Sequence, residues 1–384
     1  MPTFWQKYMN MTSNILDLDT FINSNADWEN LLSKPPYCLK IKRDGHYVLF
    51  KYDQLNSDLS LRIVQEARGS IFYEHYNGKL NLICLPFLKF FNYGEKNAVN
   101  IEWGTAYVTE KIDGSLMQLW YHDGWHLSTS GTIDAFKAKV GDTDESFGNV
   151  FERAIGTDIQ DFANKLNLLH SSIYLFELVS PETRVVIPYA ETAVYVLTAR
   201  DMLTLQEYDP SNWFLKSKWP RNPLRFPQKY HLFPVSPDVC SEIVNQMNRD
   251  HEGVVVCDVN YNRVKVKSPE YLAAAHLANN GIITTRRIIM MWRNGQLDDF
   301  VAYLPQYREK VEAVIQQVFA YKAKLNAEWK SAPQIKSDKE MFQYARRCTN
   351  ADFIMKRHKG HVANATEYIN KCDNAQLLRM IFRK

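Results

Sequence analysis

The stretch T-E-K-I-D-G-S-L, residues 109–116, holds a lysine one residue ahead of an Asp-Gly pair, between two apolar runs. The same Lys-x-Asp-Gly spacing occurs in K-R-D-G, residues 42–45. Asp-Gly between alternating runs is a strong signal for a hairpin turn, and a chance copy of this pattern is expected in about one chain in ten of this length. Each copy is therefore compatible with a turn beside a lysine, and the choice between turn and nucleophile depends on the rest of the chain.

Residues on both sides of this stretch alternate between apolar and polar, which predicts β-strands joined by tight turns. Further strands are predicted at residues 171–179, 194–200, 253–259 and 264–267, and a helix is predicted over residues 145–168. These patterns indicate an α+β fold with much antiparallel sheet.

After Ser268-Pro269 the apolar residues recur at helical spacing. A long amphipathic helix is predicted over residues 307–329. Ser337 and Glu340 have the S-x-x-E spacing of a capping box, which predicts a helix from there through residue 347. We therefore predict two domains, a sheet-rich one over residues 1–275 and an all-helical one over residues 276–384.

The composition is that of an ordinary globular protein, with 384 residues of which 46% are hydrophobic and 23% charged. No run of about 18 apolar residues occurs, and the first residues lack the apolar core of a signal peptide. The six cysteines include no C-x-x-C pair of the kind that binds zinc or acts in redox reactions. His358 and His361 have no cysteine or second histidine pair beside them that would complete a metal site. We expect a cytoplasmic protein with reduced cysteines, no membrane association and no stable protein partner.

Positive charge is concentrated at the C-terminus. Residues 276–384 contain 19 Lys and Arg against 10 Asp and Glu, whereas residues 1–275 contain 27 against 33. Such a basic block indicates a polyanionic partner, and nucleic acid is the commonest one. A solvated helix surface is the alternative interpretation.

The catalytic interpretation of a lysine requires supporting groups. A lysine that attacks the α-phosphate of a nucleotide must lose its proton, although a free lysine has a pKa of about 10.4. The site needs nearby cations, and carboxylates for a divalent metal and the ribose. Downstream of Lys111 the chain supplies, in order, Glu177 in F-E-L-V-S-P, Arg184, Glu252 in H-E-G-V-V-V, and Lys265 and Lys267 in V-K-V-K-S.

These segments, together with K-I-D-G-S, resemble the motifs of the covalent nucleotidyltransferases, the superfamily of DNA ligases, RNA ligases and mRNA capping enzymes. Two upstream segments, E-A-R-G-S-I-F with Arg68 and L-K-F-F-N with Lys89, make the chain most similar to the bacteriophage T4 RNA ligase 1 family of ATP-dependent RNA ligases. The similarity runs from about residue 60 to Tyr271, so the first 60 or so residues are specific to this chain's own family. Lys42 precedes these segments and has His46 where Lys111 has Ser115, which favours Lys111 as the nucleophile and a plain turn at residues 44–45.

The resemblance implies an adenylyltransferase fold and a role for each matched residue. Lys111 would take AMP from ATP, with Asp113 and Gly114 completing its motif, and the enzyme would then join RNA 5′-phosphate and 3′-OH ends through an RNA-adenylate. The remaining expected contacts are Arg68, Lys89 and Tyr271 to the phosphates, Glu177 to the ribose, Lys265 and Lys267 to the α-phosphate, and Glu252 to Mg²⁺ or Mn²⁺. The adenine is expected against the strand at residues 194–197. The RNA would be held by the basic helical domain, with a broken tRNA as the implied substrate, in the host cytoplasm if the source is a phage.

The chain departs from the family at Ser128 and Ser130, where the T4-type pattern carries lysines, one of which meets the ATP triphosphate. A serine brings no charge, and charge-assisted hydrogen bonds are roughly twice as strong as neutral ones. We therefore expect weaker use of ATP.

Two alternatives stay open on the sequence alone. One is another covalent nucleotidyltransferase, either a DNA ligase or a capping guanylyltransferase, although a helical segment stands where these usually have an OB-fold. The other is a nucleic-acid-binding module that has kept the fold without the chemistry.

Overall fold

The computed structural model describes residues 16–140, 143–183, 187, 189–215, 223–248, 250–268, 271, 283–293, 295 and 297–382, with the side chains of residues 299 and 303 left aside. The chain divides into two compact units. The first comprises Met1–Lys137 and Ser146–Ala278, and the second comprises Ala138–Glu145 and Asn279–Lys384. No helix in the described ranges is long and apolar enough to cross a membrane.

The strands all belong to the first unit within the described residues. In chain order they are β1 (Lys40–Asp44), β2 (Tyr47–Lys51), β3 (Arg68–Glu74), β4 (Leu80–Cys84), β5 (Phe91–Asn92), β6 (Tyr107–Glu110), β7 (Ser115–Tyr121), β8 (Trp125–Thr129), β9 (Ser172–Val179), β10 (Ala193–Asp201), β11 (Glu207–Tyr208), β12 (Leu224–Arg225), β13 (Lys229–Tyr230), β14 (Gly253–Cys257) and β15 (Arg263–Lys267). The predictions at residues 171–179, 194–200, 253–259 and 264–267 thus correspond to β9, β10, β14 and β15.

The helices of the first unit are α1 (Asp17–Ser24), α2 (Trp28–Leu32), α3 (Arg62–Glu66), α4 (Phe147–Ile155), α5 (Ile159–Lys165), α6 (Ser211–Leu215) and α7 (Pro237–Gln246). Those of the second unit are α8 (Thr285–Arg293), α9 (Leu297–Tyr303), α10 (Arg308–Lys330), α11 (Asp338–Ala345), α12 (Ala351–His358), α13 (Ala365–Lys371) and α14 (Asn374–Phe382). The prediction of an antiparallel α+β fold followed by helices is therefore confirmed.

The described strands form three sheets. A four-stranded sheet has the order β1-β2-β3-β4, a six-stranded sheet has the order β11-β10-β9-β7-β8 with β12 beside β10, and a five-stranded sheet has the order β13-β6-β14-β15-β5. All neighbours are antiparallel except the pairs β10–β12 and β15–β5. Apolar residues of the three sheets are buried in separate core clusters.

The two Lys-x-Asp-Gly copies have different structures. At the first copy, the two-residue loop Gly45-His46 joins β1 to β2, with Asp44 paired to Tyr47, so the predicted hairpin is confirmed. At the second copy, β6 pairs with β13 and β14, whereas β7 pairs with β8 and β9. Residues 111–114 therefore cross from one sheet to another, and the hairpin interpretation of this copy is wrong.

The single helix predicted over residues 145–168 is two helices, α4 and α5. Gly156 ends α4 with a φ of 74°, a left-handed conformation that glycine adopts without steric cost. The side chains of Ser146 and Asp158 then cap the N-termini of α4 and α5. The apolar periodicity continues through both helices because each buries one face, and for this reason the sequence pattern predicted a single helix.

In the second unit, the helix predicted over residues 307–329 corresponds to α10. Ser337 precedes α11 as predicted, but its side chain makes no capping hydrogen bond, and α11 ends at Ala345 rather than at residue 347. The S-x-x-E spacing therefore marked the position of the helix start without forming the capping box.

Candidate active site

Lys111 lies in the crossing between β6 and β7, beside the head of β14. Its Nζ is 2.6 Å from Glu252 Oε2, and Lys267 Nζ is 2.9 Å from Glu252 Oε1. Lys111 N also donates a hydrogen bond of 2.9 Å to Gly253 O, which ties the crossing to the strand that follows Glu252. The sequence placed these three residues far apart, and the pairing of β14 with both β6 and β15 brings them together.

Glu252 is buried, with 4% of its surface exposed. Burial by itself raises the pKa of this carboxyl, but the positive charges of Lys111 and Lys267 outweigh burial and hold the pKa below its ordinary value. Glu252 is therefore an ionised carboxylate shared by two ammonium groups.

Asp113 and Gly114 shape the crossing rather than face outward. Asp113 is buried and accepts hydrogen bonds from Tyr271 Oη at 3.1 Å and from Ile187 N at 3.0 Å. A Cβ on Gly114 would lie 2.5 Å from Leu178 O, so glycine allows the crossing to pass directly over β9. Tyr271, which carried little signal in the sequence, is thus brought into the site by Asp113.

Glu177 lies on β9 beside this crossing, since a Cβ on Gly114 would be 2.9 Å from Glu177 Cγ. Desolvation raises the pKa of Glu177 to about 8, an effect opposed by the positive charges of Lys111 and Arg68 and reinforced by the negative charges of Glu252 and Asp113. A carboxyl with this pKa is largely protonated at neutral pH and can donate a hydrogen bond.

Arg68, Lys89 and Lys265 line a second part of the site. Arg68 and Lys265 both lie against the ring of Phe90, at 5.1 Å and 5.7 Å from its centroid. Lys89 is buried, and its Nζ lies 5.7 Å from the ring centroid of Tyr52. Aromatic faces stabilise desolvated cations, so one ring holds Arg68 and Lys265 and another holds Lys89.

Ser128 and Ser130 have different environments. Ser128 is fully buried, and its Oγ accepts a hydrogen bond of 3.1 Å from Trp120 Nε1. The strand β8 thus turns the side chain of Ser128 into the core. Ser130 follows β8 and packs against β3, where a Cβ on Gly69 would lie 2.8 Å from Ser130 Cα.

Sequence reasoning missed a buried ion network beside Lys265. Glu207 accepts from Arg200 Nη2 at 2.6 Å and from Arg263 Nη2 at 2.6 Å, and Arg200 Nε donates to Leu85 O at 3.0 Å. The network ties β10, β11 and β15 to the loop that leads to Lys89. An isolated Arg or Glu in a strand carries no sequence signal for such a network; only its burial reveals it.

The carboxylates of the site fit a largely hydrated cation better than a metal enclosed by protein ligands. Among the described residues, no group of three or more His, Cys, Asp or Glu could hold a metal ion. Mg²⁺ commonly binds through one or two carboxylates together with waters and substrate phosphates. Glu252, next to cations suited to phosphate, fits that donor set. Arg184 lies outside the described residues.

Comparison with known proteins identifies the family. A family model described as RNA ligase, of the T4 RNA ligase 1 type, matches residues 66–271, more than half of the chain. The chain belongs to this RNA ligase family. It is an RNA ligase with RNA as its substrate, as the resemblance predicted. Family membership favours an RNA ligase over the alternatives of a DNA ligase and a capping guanylyltransferase.

The ligase is similar to two phage proteins. It is 25% identical over 338 residues to an RNA ligase of Rhodothermus phage RM378, covering 74% of this chain and 75% of the relative. It is 30% identical over 183 residues to RNA ligase 1 of bacteriophage TS2126, covering 44% of each chain. Among solved structures, an archaeal ATP-dependent RNA ligase matches with 12% identity and a TM-score of 0.46, covering 87% of this chain and 89% of that chain.

Proposed function

We propose that Lys111 is the nucleophile of this RNA ligase and that the enzyme joins single-stranded RNA ends in three steps. The observation that carries the proposal is the contact of Lys111 with Glu252, which Lys267 holds from the other side. A lysine in an ordinary turn has no reason to share a buried carboxylate with a second lysine.

In the first step the amine of Lys111 attacks the α-phosphorus of ATP, a P–N bond forms, and the bond to pyrophosphate breaks. Lys111 must first lose its proton and leave Glu252. Cationic side chains that touch the phosphates, namely Arg68, Lys89, Lys265 and Lys267, would stabilise the negative charge that develops on the α-phosphate and on the leaving pyrophosphate.

In the second step an oxygen of the RNA 5′-phosphate attacks the same phosphorus, and the P–N bond breaks as Lys111 regains a proton. In the third step the RNA 3′-OH attacks the 5′-phosphate, loses its proton, and AMP leaves. A Mg²⁺ ion held at Glu252 would supply positive charge beside the phosphates and compete with the Lys111 ammonium for the carboxylate.

Nucleotide recognition would use the other face of the crossing. Glu177 would bind a ribose hydroxyl, and Tyr271 would hold Asp113 in place near the phosphates. The adenine would pack in the apolar cluster that includes Ile112 and Tyr195, the latter directly opposite Glu177 on the neighbouring strand.

Intact-mass measurement after incubation with saturating ATP and Mg²⁺ tests this proposal. We expect one added AMP on the wild type and none on Lys111→Ala. The matched control is Lys42→Ala, which removes the lysine of the hairpin copy and should still gain AMP. Absence of an adduct on the wild type would support the nucleic-acid-binding module without chemistry, and would contradict the proposal.

We also propose that the basic helical domain over residues 276–384 binds the RNA, with broken tRNA as the substrate. Arg346 and Arg347 are exposed after α11 and illustrate the available positive charge. Reversing both to Glu should weaken joining of a nicked tRNA loop and flatten its dependence on salt concentration, while leaving AMP transfer to Lys111 unchanged. Equal losses in both reactions would indicate a structural role.

A cytoplasmic location is the remaining part of the proposal. All six cysteines are free thiols, and four of them are buried. Free thiols are usual in a reducing compartment. Expression in a cell followed by fractionation and thiol labelling would test it.

A further inference from the structure

Lys51 ends β2 at a point where the sheet is irregular. Phe50 pairs with Ser70, but Lys51 pairs with Arg68, so Gly69 is the extra residue of a β-bulge. Gly69 has a φ of 96°, a conformation that favours glycine. The bulge therefore places Arg68, rather than Gly69, directly opposite Lys51. Side chains directly opposite each other in an antiparallel pair project from the same face.

The turn after β8 packs onto this bulge. A Cβ on Gly69 would lie 2.8 Å from Ser130 Cα and 3.0 Å from Ser130 O, so only glycine admits the turn at this distance. A Cβ on Gly131 would lie 3.0 Å from Lys51 Nζ. Lys51 thus brings its ammonium group to the Ser130-Gly131 turn.

Lys42 approaches the same turn from β1. Its Nζ donates a hydrogen bond to Gly131 O. The lysine of the hairpin copy therefore has a structural role, since its hydrogen bond fixes the carbonyl of the turn.

Lys51 also continues a row of cations that leads to the nucleophile. Arg68 lies opposite Lys51, Arg68 and Lys265 both contact the ring of Phe90, and Lys265 is two residues before Lys267, which contacts Glu252. A nucleoside triphosphate presents several negative charges in a row next to its α-phosphate. Charge-assisted hydrogen bonds from fixed cations are the usual means of binding such a group.

We infer that Lys51 binds the β- and γ-phosphates of ATP and supplies the charge that Ser130 lacks. The inference rests on the proposed attack of Lys111 on ATP. The earlier expectation was weaker use of ATP, because Ser130 brings no charge. We now infer that the positive charge comes from Lys51 at the end of β2 instead of from the end of β8, and that Gly131 leaves room for it in the turn between them.

The experiment compares two reactions of the full chain. The first is AMP transfer from ATP to Lys111, which is measured by intact-mass analysis over a range of ATP concentrations. The second is sealing of an RNA strand that already carries a 5′-adenylate and therefore brings no β- or γ-phosphate. Lys51→Met should raise the ATP concentration for half-maximal adenylation about tenfold to a hundredfold, the usual effect of losing one charged contact, with sealing within about twofold of wild type.

Three further variants separate charge from structure. Lys51→Arg keeps the charge and should stay close to wild type, and Lys51→Met with Ser130→Lys should recover most of the ATP dependence. The control Lys79→Met removes an exposed lysine from the β3–β4 turn and should change neither reaction. An unchanged ATP requirement in Lys51→Met, or an equal loss in both reactions, would overturn the inference while the proposed function stands. If the wild type gains no AMP, the proposed function fails and the inference fails with it.

Discussion

Replacing Glu252 by Gln should destabilise the ligase more than replacing Lys111 by Met. In Lys111→Met the carboxylate keeps Lys267 at 2.9 Å. In Glu252→Gln both lysines lose the negative charge of Glu252 at once, and Lys267 has a side chain only 9% exposed. The ordering follows because removing the charge of one member of a buried ion pair is costly, and Glu252 belongs to two such pairs.

Removing one partner of a buried pair costs roughly 3–5 kcal/mol. Lys111 is 20% exposed, so water screens part of its charge. We therefore expect about 3 kcal/mol for Glu252→Gln and about 1 kcal/mol for Lys111→Met. At roughly 2 °C per kcal/mol for a unit of this size, the melting temperature should fall by about 6 °C and about 2 °C. Both variants should fail to gain AMP.

The pH dependence of the unfolding free energy tests whether the charge of Glu252 is the cause of this difference. The pKa of Glu252 is held below its ordinary value of 4.5, so its stabilising effect is complete above pH 4.5 and is lost as the pH falls through the folded-state pKa. The stability difference between wild type and Glu252→Gln should therefore stay constant from pH 7 to about 5 and shrink as the pH falls below about 4.5.

Calorimetry of the two variants, with Lys229→Met as a control, measures these effects. Lys229 pairs with Asp209 at the surface, where both side chains are about half exposed, and its loss should cost less than about 1 kcal/mol. If Lys111→Met destabilises as much as Glu252→Gln, Glu252 does not bridge the two lysines and the reasoning is wrong.

Three other predictions concern single side chains. Glu177→Gln should stabilise the protein increasingly as the pH rises from 4.5 to about 8, by up to about 3 kcal/mol in denaturant titrations. The reason is that ionisation of this carboxyl is disfavoured only in the folded state. A difference in unfolding free energy between variant and wild type that does not change with pH would contradict this. Gly253→Ala should cost more than about 2 kcal/mol, since its φ is 142° and its Cβ would lie 2.2 Å from a β15 carbonyl, whereas Gly104→Ala meets nothing within 4 Å and should be nearly neutral. Tyr271→Phe should lower stability by about 1 kcal/mol through the lost hydrogen bond to Asp113 and slow AMP transfer, and an unchanged rate would remove Tyr271 from the site.

Local patterns predicted much of the fold. Alternation located β9, β10, β14 and β15 within a few residues, and the Asp-Gly signal located the hairpin between β1 and β2. These features depend on neighbours in the chain, so a short window of sequence contains them. The same local signal predicted a hairpin at Asp113-Gly114, where none forms. Whether two successive strands pair with each other depends on strands that are far away in the sequence.

The site residues divide in the same way. Their order along the chain, Lys111, Glu177, Glu252, Lys265 and Lys267, is enough to indicate a nucleotidyltransferase site, because motif spacing is a property of the linear chain. Their geometry does not follow from that order. The shared carboxylate arises only when β14 pairs on both sides, and the burial of its charges is a property of the packed sheets.

Ser130 and Lys51 show most clearly what the sequence alone cannot determine. The residue types alone indicate that residue 130 brings no positive charge. The bulge at Gly69 and the pairing of β2 with β3 decide that a lysine 79 positions earlier reaches the same turn. Charge acts through space, and only the tertiary structure determines which residues are neighbours in space.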